Sequence, residues 1–156
     1  MKVEDFTKAF MSGIKSLKKY ETLVGVPAEK SNRQDDGINN ATILAINEFG
    51  SPANNIPSRP VLTIGLRLAS DAVTNEMKNA ILVGLKKGGD AVLPFYERAG
   101  LIASQSVKNV INNQIDIEGP AASTLEGRAR RGFKGNKALI VSGQLRNSIT
   151  WVVKGK

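Results

Sequence analysis

A chain of 156 residues with 41 % hydrophobic side chains can bury roughly 70 % of its unfolded surface, so neither disulfides nor a structural metal is needed as a staple. It contains no Cys and no His, which excludes disulfide frameworks, thiolate nucleophiles, Cys/His zinc sites, iron–sulfur clusters and every Ser-His or Cys-His catalytic pair. The net charge of +8 lies at one end: all 14 acids and 14 of the bases fall at or before Glu126, and Arg128, Arg130, Arg131, Lys134, Lys137, Arg146, Lys154 and Lys156 follow with no acid among them, an asymmetry that fits a polyanion or an acidic neighbouring subunit alike.

Residues 4–19 set Phe6, Phe10, Ile14 and Leu17 on one stripe, with Lys8, Lys15, Lys18 and Lys19 largely off it, and predict an amphipathic helix with Gly13 as an interior cost of about 1 kcal/mol. The opening MKVEDFTKAF has two acids ahead of any apolar stretch, and no apolar run approaches the ~20 residues of a membrane span, so a soluble, cytoplasmic chain without membrane contact is expected. Residues 22–26 read as a strand stopped by Pro27, and the polar run 28–40 as an exposed loop whose Asp35-Asp36-Gly37 is turn chemistry rather than a metal pair. A short helix is expected over 41–49, ending at Gly50. The three prolines of residues 51–60 predict a stiff, extended connector.

Pro60 suits the first turn of a helix over about 60–69, and Ser70 can cap a second over 71–87, with Val73, Met77, Ile81 and Leu85 at four-residue spacing. Gly88-Gly89 ends it without the Lys-Ser or Lys-Thr of a phosphate loop. Asp90 can cap a long helix over roughly 91–114, whose face carries Val92, Phe95, Ala99, Ile102, Ala103, Val107 and Val110. Two long helices joined by this turn form an antiparallel hairpin. The pattern dissolves over 114–120; a short helix over 123–131, a mobile basic loop over 132–137, a capped turn at 142–145 and a strand over 148–153 follow, the last pairing with 22–26. The expected fold is α+β in a single domain spanning 1–156. It comprises the long helix hairpin and an amphipathic N-terminal helix (1–20), packed on a small, mainly antiparallel sheet that includes the C-terminal strand, with an exposed loop at 28–40 and a basic arm at 115–137.

Few residues carry candidate chemistry, and no catalytic residue, cofactor site or metal site is predicted. Ser142 lacks a histidine base. Glu48 and Arg59 bracket the prolyl connector and fit a salt bridge that clamps it, the favoured reading, with a catalytic acid beside an arginine anchor as the alternative. Arg128, Arg130 and Arg131 beside Phe133, Lys134 and Lys137 combine charges for phosphates with one ring for stacking, and fit three settings: an acidic surface on an adjacent subunit, nucleic acid, or an ordinary solvated flank.

Two runs are familiar as text. Ile46-Asn47-Glu48-Phe49-Gly50-Ser51 with Ile56-Pro57-Ser58-Arg59-Pro60, and the closing run from Leu139 to Ile149 (LIVSGQLRNSI), resemble the tail-completion or neck proteins of tailed bacteriophages. That family carries an "EFG" helix end, an "IP-x-RP" connector, an Arg-rich stretch like Arg128 to Arg131 and a late "TGQLRNSI"-like segment, in this order; it more often has His at the position of Asn47 and Phe at that of Val61. The resemblance spans about residues 21–153. It implies a virion structural protein rather than an enzyme, present in the host cytoplasm during assembly and then in the neck. There it completes the tail and joins it to the DNA-filled head as a ring, hexameric by first expectation and dodecameric as the alternative. Its implied partners are its own copies, the adjacent head-connector and tail-tube or tail-terminator proteins, and genomic DNA in non-specific contact. In such a ring Glu48, Phe49, Gly50, Pro57, Arg59 and Pro60 would fix the connector, Gly143, Gln144, Leu145 and Arg146 would hold the turn into the last strand, and Arg128, Arg130, Arg131, Lys134 and Lys137 would face a neighbour or the DNA channel. The alternative is a DNA-binding accessory protein that uses the basic C-terminal segment.

Overall fold

The computed structural model describes residues 3–33, 37–87 and 89–156; the Asp35-Asp36 pair, Gly88 and the side chain of Phe6 lie outside the described residues. The chain is α+β: α1 (Val3–Lys18), β1 (Tyr20–Gly25), α2 (Asn40–Phe49), α3 (Val61–Lys87), α4 (Leu93–Asn113), α5 (Ala122–Arg130), α6 (Gln144–Ser148) and β2 (Thr150–Gly155). The long hairpin is α3 with α4, and β1 pairs with β2 in a two-stranded antiparallel sheet. Among the described residues no helix is long and apolar enough to cross a membrane. Contacts divide the chain into two compact units, residues 1–24, 69–103 and 151–156 in the first and 25–68 and 104–150 in the second.

Unit 1 is built around Ala80, Val92 and Tyr96, with Leu17, Tyr20, Met77, Phe95 and Val153 packed against them. The Tyr96 hydroxyl donates to the Leu17 carbonyl at 2.7 Å, tying α4 to the end of α1, and burial raises the pKa of this phenol. The helix α1 reaches its neighbour through small residues: a Cβ on Gly13 would lie 2.7 Å from the Gly84 carbonyl oxygen. Gly13, a cost by helix propensity, therefore permits backbone contact. The expected stripe shifts accordingly, because Ser16 is buried while Phe10 is 41 % exposed. On the sheet side, a Cβ on Gly100 of α4 would fall 2.6 Å from Trp151 Cγ and 2.8 Å from Thr22 Cγ2. The two strands sit directly on the helix because position 100 has no side chain.

Two boundaries differ from expectation. Residues 61–87 form one helix rather than two; a serine caps only where amides would otherwise be left free, and no Gly or Pro near Ser70 interrupts the ladder. After α3 a short 3-10 turn, Gly89–Val92, precedes α4. Asp90 is therefore not the helix cap; its carboxylate accepts from Lys19 Nζ at 2.6 Å and from the Tyr20 hydroxyl, and those two bonds, Lys19 first, hold its pKa below the ordinary carboxylate value.

Unit 2 holds the start of α3 and the end of α4. Val61, Val107, Val110, Ile111 and Ile149 are completely buried. Here too the hairpin closes on a glycine: a Cβ on Gly65 would lie 2.6 Å from Val107 Cα, and Ser106 Oγ donates to the Gly65 carbonyl at 2.8 Å. That obstacle is backbone and cannot rotate away. Gly65→Ala is therefore expected to lower the unfolding free energy by about 2–3 kcal/mol in urea melts, the range of core overpacking, whereas Gly127→Ala, where a Cβ would meet nothing within 4 Å, should not destabilise.

Candidate functional site

The two runs singled out in the sequence lie in unit 2. Asn39 begins the first by capping α2, its side-chain oxygen accepting from the Thr42 amide at 2.8 Å. Behind it Asn40 is buried and accepts from Arg33 Nη1 at 3.0 Å. In the last turn of α2, Glu48 points inward and Phe49 outward, as the 100° step of a helix requires for adjacent residues. Glu48 is 8 % exposed and Phe49 81 %.

The Glu48 carboxylate caps α3. One oxygen accepts from the Leu62 amide at 2.8 Å, and the other from the Thr63 amide at 2.9 Å and the Thr63 hydroxyl at 2.7 Å. These amides have no partner within α3, and the positive end of the helix dipole favours a carboxylate there. The expected Glu48–Arg59 salt bridge is not the arrangement. Arg59 is buried, and its Nε and Nη2 donate to the Glu118 and Gly119 carbonyls at 2.7 and 2.8 Å, fastening the segment after α4. Both side chains are clamps, on different partners.

The connector between them is folded rather than extended. Ser51 and Ile56 exchange backbone hydrogen bonds at 2.8 and 3.0 Å around a 3-10 turn, Pro52–Asn54. Gly50 allows this: its φ is 75°, and a Cβ there would meet Ser58 N at 3.0 Å. The Ser58 hydroxyl then donates to the Glu48 carbonyl at 2.8 Å, and the Arg59 amide to the Asn47 carbonyl. Pro57 is exposed and Pro60 half-buried at the entrance to α3. Prolines set the φ angles, but the fold-back is held by Ser51, Ser58 and Arg59.

The closing run meets α2 through α6. Gly143, with φ 80°, supplies the left-handed residue before α6, Leu145 is buried, and Ser148 Oγ returns to the Leu145 carbonyl at 2.7 Å. Arg146 Nη1 donates to Asn112 Oδ1 at 3.0 Å, anchoring α6 to the last turn of α4. Gln144 is half-buried beside a cavity of about 170 Å³, lined by Arg33, Ile43, Leu139, Val141 and the turn 142–145. One clamp escaped the sequence reading: Gln114, where helical periodicity ends, exchanges two hydrogen bonds with Ala138, its Oε1 accepting from the amide at 2.6 Å and its Nε2 donating to the carbonyl at 3.1 Å. Its signal was the loss of pattern at 114, where φ turns positive at 55°.

The basic segment separates into buried and free charges. Arg128 is 6 % exposed, and its Nη1 donates to the Lys137 carbonyl at 2.8 Å and the Gly135 carbonyl at 3.3 Å. Burial first, then the nearby Arg131 and Arg59, lowers its pKa from the ordinary guanidinium value. It holds the loop 132–137 to the end of α5, so the expectation that Arg128 faces a neighbour or the DNA channel is corrected by its burial. Lys137 donates to the Asn112 carbonyl at 2.6 Å. Arg130, Arg131 and Lys134 stand exposed, with Glu126 3.8 Å from Arg130 in a solvent-facing pair worth little. Phe133 beside them is 39 % exposed.

No protein-family model, no curated protein and no solved structure matches this chain.

The division of roles sets the expected mutational pattern. Glu48→Ala and Arg128→Ala should each lower the unfolding free energy by about 1–3 kcal/mol, because each removes hydrogen bonds from a buried charged side chain to partly buried backbone groups. Arg130→Ala and Arg131→Ala should change it by no more than about 0.5 kcal/mol in the same urea titration.

Proposed function

We propose that the chain is a tail-completion or head-to-tail neck protein of a tailed bacteriophage, a virion structural protein that forms a ring of its own copies at the upper end of the tail. The observation that carries this reading is the convergence of the two resembling runs. Residues 46–60 and 139–149 are far apart in sequence, yet α2 packs on α6 within one unit, and the polar residues the runs share with the family have internal duties there. Glu48 caps α3, Arg59 fastens the chain after α4 and Arg146 holds α6 to α4. A resemblance confined to unrelated surface loops would have scattered these residues. The Arg-rich stretch joins the same unit through Arg128.

What those clamps leave outside is suited to contact. Phe49 is the most exposed of the large hydrophobic side chains described, and it sits on a helix end whose other residues are tied down. Exposed aromatic anchors on rigid supports are the residues that dominate protein interfaces. Arg130, Arg131 and Lys134 add positive charge on a loop that Arg128 has fixed, and such charge steers a complementary surface more than it holds one.

The test has two arms. The purified 16.7 kDa chain should assemble into a discrete ring, six copies by first expectation, or bind to tails made without it and restore their joining to filled heads. Tails that join filled heads equally well in its absence would overturn the proposal. Phe49→Ala should leave the melting temperature within about 1 °C of the parent, since an exposed side chain contributes little to stability, while reducing ring formation or tail binding at least tenfold. An unchanged assembly would remove Phe49 from the interface.

A further inference from the structure

Folding redistributes the charge that the sequence placed at one end. Each of the two compact units holds 11 basic and 7 acidic side chains, a formal +4 apiece. Half of the excess therefore belongs to unit 1, and the Arg-rich segment belongs to unit 2. Within unit 1 it is concentrated around one open cleft of about 490 Å³, lined by Lys15, Lys18, Lys19, Lys156, Ser12 and Gly89, with Ser16 at its floor. The lysines come from the end of α1 and from the residue after β2. The last turn of α3 adds Lys86 and Lys87, and it lies against α1, where a Cβ on Gly13 would stand 2.8 Å from Leu85 Cα.

We propose that this cleft binds the phosphate backbone of nucleic acid. Internal pairing leaves positive charge unspent. Lys19 is neutralised by Asp90 at 2.6 Å, and Lys156 lies 3.3 Å from Glu21, but Lys15 and Lys18 have no carboxylate within ion-pair distance among the described residues. Among the described residues no Asp or Glu lines the cleft, and neither does an aromatic or large aliphatic side chain. That lining argues against the other anionic partners. A peptide needs apolar pockets or a backbone edge for its side chains and main chain, and a membrane needs apolar residues to insert. Ammonium groups on long stems, set among hydroxyls and an open glycine, are point charges that accept phosphates without reading bases. Gly89 lines the cleft, and a Cβ there would meet nothing within 4 Å, so this part of the lining is open space. The lysines at the ends of α1 and α3 also complement the helix dipoles, but that local effect falls off within a turn and does not account for Lys156, from beyond β2, lining the same cleft as Lys15 and Lys18.

The inference is independent of the neck reading, and a chain that fails to join tails can still satisfy it. The experiment measures binding of the full chain to a fluorescent duplex oligonucleotide by anisotropy over a salt series. Each phosphate contact contributes about 0.9 to the log–log salt slope. Lys15→Gln/Lys18→Gln/Lys156→Gln should therefore flatten the slope by about 2–3 and weaken binding at low salt at least tenfold. The variant should keep the parent melting temperature, because all three side chains are exposed. Lys15→Arg/Lys18→Arg should restore the slope. An unchanged slope in the lysine variant, with loss of binding confined to Arg130→Gln/Arg131→Gln/Lys134→Gln, would overturn the proposal. So would binding to phosphatidylserine vesicles that excess duplex does not displace.

Discussion

The capping of α3 by Glu48 is the constraint on which the rest of unit 2 depends. The leading amides of α3 have no partner within the helix, and with Val61 fully buried and Gly65 pressed against Val107 the start of the helix is fixed where those amides need an acceptor. A carboxylate from the last turn of α2 fills that need with three hydrogen bonds, and in doing so sets where α2 must end relative to where α3 begins. The connector has to fit the gap thus defined. Its prolines, the left-handed Gly50 and the Ser51–Ile56 exchange are the means by which residues 50–60 turn within it. Arg59 sits at the junction and reaches the other way, to the carbonyls beyond α4, so the beginning of the hairpin and the chain leaving its end are fixed by neighbouring residues.

This arrangement explains why a glutamate and an arginine so near each other in sequence do not pair. Each is itself buried and spends its charge on partly buried backbone groups, so the charge-assisted bonds offset the desolvation of the side chain. A direct ion pair would satisfy the two side chains and leave amides and carbonyls stranded. Arg128 obeys the same logic in the basic segment: its charge is spent on the Gly135 and Lys137 carbonyls, and the loop between them acquires a shape without regular structure.

Much of the fold was legible because it rests on apolar periodicity. The stripe of α4 is realised nearly as written, with Val92, Ala99, Ala103, Val107 and Val110 all buried, and the alternating final segment pairs with the early strand as its β-branched residues suggest. The misreadings share a cause, which is that local preference was used where a distant partner decides. Gly13 looked costly, but Gly84 and Leu85 press against it. Ser70 looked like a cap and lies inside a helix. Asp90 looked like a cap and serves Lys19 and Tyr20 instead. Hydrogen-bond partners far off in sequence leave no trace in spacing, so Glu48 and Arg59 could be expected to clamp the connector without their partners being assigned, and the clamps made by Gln114 and Arg128 were not foreseen.

The charge pattern carries the same lesson into function. Read along the chain, a neutral stretch is followed by a basic end, which draws attention to residues 128–137. Read through the fold, the formal excess of positive charge is shared equally between two units, and Arg128, the first arginine of the basic C-terminal segment, is withdrawn from the surface. A polyanion approaching this protein meets exposed arginines on unit 2 and a lysine-lined cleft on unit 1, two sites of different chemistry. Guanidinium groups favour planar, bidentate recognition of carboxylate as readily as phosphate, whereas ammonium groups on mobile stems favour sequence-independent phosphate contact. The arginine loop is thus the better candidate for an acidic neighbouring subunit and the lysine cleft for nucleic acid. The two readings that compete for one segment of sequence become separate assignments to two surfaces, each open to its own substitution.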